Sequence, residues 1–136
     1  MARKVPRNPG MRAKTLEELQ VWQRALVLAE ALSAVTADQA FNRHARLREQ
    51  IDDASDSLVS NIAEGFGQGT DRAFARYLYI ARGSANEIGS HMAVARARKL
   101  TSGAVAGNLI EEARQIGNMI SGLIAYLLKS DWKDRY

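Results

Sequence analysis

Both prolines of this 136-residue chain lie within its first nine positions, at Pro6 and Pro9. Proline removes a backbone donor and clashes with the preceding helical turn, so the 127 residues that follow hold nothing that forbids a helix. Alanine, leucine, arginine and glutamate, which lose little freedom in a helix, are plentiful there. No stretch alternates with the two-residue period of a half-buried strand. The chain is therefore expected to be all-α.

Four segments repeat apolar residues at steps of three and four, the spacing that gathers side chains on one helix face. The first carries Leu19, Trp22, Leu26, Ala29 and Leu32 and reaches about Val35; Thr15 and Glu18 have the spacing of a capping box at its start. Asp38 to Arg43 reads as a connection. The second carries Leu47, Ile51, Ala54, Leu58 and Ile62 and stops at Gly65, expected in the left-handed conformation that follows many helix ends. After the glycine-rich connector Gly65 to Gly69, Thr70 and Asp71 supply a cap and a first-turn acid.

The third segment then presents Phe74, Leu78, Ala81, Ala85, Ile88, Met92 and Ala95, ending near Lys99 and Leu100. The fourth starts at Ser102 or Gly103 and presents Leu109, Ala113, Ile116, Ile120, Leu123 and Leu127, with Ile110, Gly117, Ile124 and Leu128 as a second row. Helices on short connections pack with sequential neighbours reversed, which predicts an antiparallel up-and-down four-helix bundle over residues 15–129. A basic arm, 1–14, precedes it and a charged tail, 130–136, follows.

Charge is unevenly placed. The arm holds Arg3, Lys4, Arg7, Arg12 and Lys14 and no acid, so the rest carries 14 bases against 15 acids and is close to neutral. The formal net charge of +4 thus belongs to the arm, which is the candidate nucleic-acid contact. There is no cysteine, which removes thiolate chemistry and cysteine-ligated metals. No apolar run has the length of a membrane span or signal peptide, so a cytoplasmic protein that needs no membrane is expected.

Ser57, Asn61 and Glu64 form a polar stripe beside the apolar face of the second helix, and Ser84, Glu87 and His91 do so on the third. Facing stripes are expected to hydrogen-bond between helices and set register. His44 and His91 do not follow a glutamate at the three-residue spacing of carboxylate-bridged metal sites, so no metal or other cofactor is expected. Gly65, Gly67 and Gly69 lack the preceding strand and following Lys-Ser/Thr of a phosphate loop and read as a turn, although Arg72 and Arg76 just beyond can meet an anion. Ala81, Ala85, Gly89, Ala93 and Ala97 make a small-residue ridge that suits close packing inside the bundle or between subunits. Trp22, Trp132 and Tyr136 are the aromatic candidates for an interface.

Ser60, Asn61, Ile62, Ala63, Glu64, Gly65, Phe66 and Gly67, followed by Phe74, Arg76, Tyr77, Leu78, Tyr79, Ile80, Ala81, Gly83, Ser84 and Glu87, resemble the 23S rRNA intervening-sequence proteins. Leu19, Val21 and Trp22 are similar to that family's opening segment, with Gln20 in place of an acid. The resemblance runs over about residues 15–128. It implies a cytoplasmic four-helix bundle without enzymatic activity, assembly with itself into closed oligomers, a pentamer above all, and a link to RNA. Asp52 and Asp53 stand where the family commonly has two arginines, with Asp56 one turn on, so that surface is acidic here. Val59 replaces a common proline and His91 a common glutamine.

The function expected from this reading is a non-enzymatic oligomeric scaffold or adaptor whose arm contacts RNA or a nucleoprotein. The alternative is a protein-interaction module with no nucleic-acid role, its acidic second-helix surface meeting a basic partner.

Overall fold

The computed structural model describes the backbone of residues 13–133 and the side chains of residues 13–129. Four helices follow in order: α1, Gln20–Thr36; α2, Ala45–Phe66; α3, Asp71–Ala97; and α4, Gly103–Lys133. Short 3-10 turns, Leu16–Glu18 and Gln39–Phe41, precede α1 and α2. Contacts across the bundle run in opposite chain directions: Arg48 of α2 reaches the Thr36 carbonyl at the end of α1, and Ser57 meets Ser84 midway along α2 and α3. Arg82 of α3 bonds Ser121 of α4. The four helices form the antiparallel up-and-down bundle, α1 and α3 each packing on α2 and α4.

The apolar rows read for α2 and α3 are buried in full, from Leu47 to Ile62 and from Phe74 to Ala95. In α4, Leu109, Ala113, Ile116, Ile120, Ile124 and Leu127 line the core, with Leu123 partly covered. Each buried leucine or isoleucine side chain contributes about 2 kcal/mol through area removed from water. Phe41, inside the connection between the first two helices, is fully buried and plugs that end of the core.

Several local expectations are corrected. The core row of α1 is Val21, Ala25, Leu28 and Leu32, while Leu26 is 38% exposed and Val27 65%. This helix is apolar on nearly every side, so two overlapping rows satisfy the same spacing, and the packing of α2 and α4 selects between them. The capping box does not close: Thr15 makes no side-chain cap, α1 begins only at Gln20, and Glu18 accepts instead from the Lys14 N–H at 2.9 Å.

Gly65 is not left-handed. It lies inside α2, which continues to Phe66, and the glycine with positive φ is Gly69, at 82°. A Cβ on Gly65 would stand 2.8 Å from Tyr77 Cβ and 2.9 Å from Phe74 Cδ1, so its role is to let α3 close onto α2. Phe66 and Phe74 meet edge-to-face beside it, with ring centroids 6.0 Å apart. Thr70 caps α3 as expected, accepting from Ala73 N–H at 3.2 Å.

At the other end of α3, the Leu100 N–H reaches back to the Ala95 carbonyl at 2.9 Å and Leu100 is buried, which closes a Schellman motif. The left-handed position of that motif, where glycine is usual, is held by Lys99 at φ 59°. Helix α4 runs on to Lys133, into the segment 130–136 that the sequence assigns to the tail.

Candidate functional site

The two polar stripes meet in part. Ser84 Oγ donates to Ser57 Oγ at 2.7 Å, and Asn61 Nδ2 donates to the same hydroxyl at 3.1 Å and to the Ser57 carbonyl at 2.8 Å. Ser84 is buried, so the α2–α3 interface carries one small satisfied polar knot within apolar surroundings. Glu64 is exposed beside Gln68. Glu87 is exposed and His91 half-buried, and neither bonds another described residue.

The antiparallel register explains this. Stepping along α3 from Ser84 toward His91 means stepping back along α2 from Ser57, where the core positions are Ala54 and Ile51, both apolar and buried. The knot also has the wrong chemistry for catalysis: a hydroxyl is activated as a nucleophile by an adjacent base, and Ser57 and Ser84 touch only each other, an amide and backbone carbonyls. Among the described residues no group of three or more His, Asp or Glu side chains is gathered as a metal site.

The small-residue ridge divides. Ala81 and Ala85 are buried in the core, Gly89 and Ala93 are half-buried, and Ala97 is exposed. Four residues turn a helix by about 400°, so a row of fourth residues drifts around it by about 40° per step. A Cβ on Gly89 would meet nothing within 4 Å, so no neighbour among the described residues uses that glycine for close approach.

Trp22 is half-buried against the core, and its indole N–H, closed off from solvent, has no acceptor among the described residues. The side chains of Trp132 and Tyr136 lie outside the described residues, as do Arg3, Lys4, Arg7 and Arg12 of the arm. Lys14 and Arg76 are exposed, and Arg72, exposed on the first turn of α3, takes part in an interaction of its own. Because α1 and α3 run in the same direction, the start of α1 lies at the end of the bundle that holds Arg72 and Arg76.

One ionic contact between helices was not read from the sequence. Arg24 of α1 grips Glu112 of α4 with two nitrogens, at 2.9 and 2.8 Å, and also donates to Gln115 Oε1 at 2.7 Å. The hydrogen bond to Glu112 holds the guanidinium above its ordinary pKa. Its members lie 88 residues apart in sequence, so only the fold brings them together. On the same helix Glu111 is held down to about 2 by the Arg114 guanidinium, an exposed pair within one turn.

The family model described as 23S rRNA-intervening sequence protein matches residues 17–122. The chain belongs to that family. A crystal structure of a protein of unknown function from the S23 ribosomal protein family of Bacteroides thetaiotaomicron superposes with a TM-score of 0.68 at 17% identity, covering 76% of this chain and 97% of that one. At that identity the likeness is one of fold. No curated protein of assigned function matches the chain.

The 23S rRNA-intervening sequence family match ends at residue 122 and so takes in the polar knot, the Gly65 crossing and the Arg24–Glu112 bridge. Neither it nor the structural neighbour indicates a catalytic class. No helix among the described residues is long and apolar enough to cross a membrane.

Proposed function

We propose that the chain is a non-enzymatic, cytoplasmic scaffold that assembles with copies of itself, a pentamer being the form favoured by its family, and brings its basic arms together to contact RNA. The observation that supports assembly is a pair of exposed apolar patches on two helices that are diagonal in the bundle. Leu26 and Val27 lie on the outside of α1; Tyr79, 48% exposed, and Ile80, 51%, lie on the outside of α3. Side chains of this size are seldom left in water in such pairs unless a partner covers them. Gathering arms of five bases each would make several weak, salt-sensitive contacts act together.

Two measurements test this. Light scattering should give a solution mass that is a small multiple of 15.0 kDa; a strict monomer would remove the avidity on which the arm depends. A full chain with Arg3, Lys4, Arg7, Arg12 and Lys14 changed to Gln should lose most of its RNA retardation on a low-salt gel, and undiminished retardation would remove the arm's role.

A second reading rests on the acidic face of α2. Partial burial, followed by the nearby Asp56 and Asp53, pushes the Asp52 carboxyl above its ordinary range against the pull of Arg48. Crowded carboxylates of this kind are relieved by a basic protein partner. Changing Asp52, Asp53 and Asp56 together to Asn should then reduce partner recovery in a pull-down, and unchanged recovery counts against this reading.

A further inference from the structure

At the end of the bundle away from the start of α1, the start of α2 meets the end of α3. Arg98 Nη1 lies 3.5 Å from His44 Nδ1, although the two residues are 54 apart in sequence. Arg43 and Arg46 flank that histidine, and Arg96 and Lys99 flank that arginine. All five of Arg43, Arg46, Arg96, Arg98 and Lys99 are exposed. None of them has a carboxylate within ion-pair distance among the described residues.

The sixth cation here, Arg48, is turned to structural use, donating to the Thr36 carbonyl at 2.8 Å and to Asn42 Oδ1 at 3.0 Å. Segments 36–49 and 95–105 contain two carboxylates, Asp38 and Glu49. Asp38 is engaged in capping, its Oδ1 accepting the Ala40 N–H at 2.8 Å. The near-neutral body of the protein therefore has a strongly positive pole.

We propose that this pole binds the phosphate backbone of nucleic acid, at a site separate from the arm. Four of its five cations without a carboxylate partner among the described residues are arginines, whose planar forks match phosphate oxygens and stay charged at every physiological pH. Lys99 occupies a backbone position that glycine would fill with less strain, so its presence lowers stability while adding a charge at the rim of the pole. A protein partner would ask for an exposed apolar anchor as well as charge. Of the large exposed apolar side chains among the described residues, only Val105 is at this end; Leu26, Val27, Tyr79, Ile80 and Tyr126 are elsewhere. Charge without an apolar centre fits a phosphodiester chain, read by charge rather than by base.

The test uses the full chain and a fluorescent uridine-only oligoribonucleotide, with binding followed by anisotropy as salt rises from about 50 to 200 mM. Three variants are compared with wild type: the pole variant R43Q/R46Q/R96Q/R98Q/K99Q, the single K99G, and the arm variant R3Q/K4Q/R7Q/R12Q/K14Q. The pole variant should lose at least about tenfold in affinity at low salt, and its log–log salt slope should fall by about 3, close to 0.7 for each phosphate contact removed. K99G should shift the slope by about 0.7 while raising the melting temperature, which separates lost charge from lost fold.

A DNA oligonucleotide of the same length should show the same pole-dependent loss. Pole and wild-type proteins with equal affinity and slope would overturn the inference, even if the arm variant had lost binding and so supported the arm. Loss in the pole variant with none in the arm variant would support it and overturn the arm. A wild-type chain that ignores RNA at the lowest salt, or that prefers polyglutamate through the same five residues, overturns it as well.

Discussion

Gly65 and Lys99 are two residues whose worth is set by the backbone they occupy. Gly65→Ala would add a methyl against Tyr77 Cβ and the Phe74 ring and carbonyl, with 3.1 Å to the Phe74 oxygen. Backbone and Cβ atoms cannot step aside, so the substitution should cost about 2 kcal/mol of unfolding free energy despite the helix propensity gained. Gly67→Ala, whose nearest neighbour would be the Glu64 carbonyl at 3.5 Å, is the matched control and should be close to neutral in the same urea titration. Lys99→Gly should stabilise by about 1 kcal/mol because it relieves a left-handed non-glycine residue. Asp52 predicts a pH signature. Its folded-state pKa lies above its unfolded value, so its ionisation opposes folding at neutral pH, and the opposition disappears once the pH falls below the ordinary aspartate range. Asp52→Asn should therefore raise the melting temperature at pH 7 and leave it unchanged at about pH 3; a gain retained in acid would point to a packing effect instead.

Among the elements, α1 is the least secured, since it is 17 residues long and packs less extensively than α3 does on the same two neighbours. The Arg24–Glu112 bridge ties it to α4, half in solvent, with side chains 36% and 34% exposed. A bidentate pair in that setting contributes about 1 kcal/mol after screening. Arg24→Met should lower stability by about that much and speed amide exchange in α1 more than in α3, which hydrogen-exchange mass spectrometry would resolve. Exchange rising equally in all four helices would mean that α1 opens only when the whole bundle does. The same element shows why the sequence was uneven as a guide. In α2 and α3 a polar face marks the outside, so Ile51, Leu58, Leu78 and Ile88 could be placed without the fold. In α1, Leu26 and Ala29 obey the apolar period as well as Ala25 and Leu28 do, and only the neighbours decide. For the polar stripes, spacing identified the face of Ser57 and Ser84 but not that Glu87 would stay exposed beside them. The pole at His44 and Arg98 has no local signature, because antiparallel pairing makes neighbours of residues 54 apart.

At the scale of the whole molecule, the placement of the apolar patches decides what kind of assembly can form. Leu26 and Val27 sit on α1, Tyr79 and Ile80 on α3, and these helices are diagonal, so the two patches cannot belong to one self-complementary face. An interface that joins the first patch of one copy to the second of the next is heterologous, and it closes into a ring when the rotation per copy divides a full turn. A two-fold dimer would instead join each patch to its own kind. The two arrangements differ in a mixing experiment. Leu26→Asp with Val27→Asp should reduce the assembly to monomers by light scattering, and so should Tyr79→Asp with Ile80→Asp. Mixing the two variants leaves one intact patch of each kind in the solution, so a heterologous interface should recover a dimer and nothing larger. Two-fold interfaces would let each variant keep the patch it did not lose and form dimers alone, before any mixing. Recovery of a dimer only on mixing is thus the outcome that a ring-forming scaffold requires.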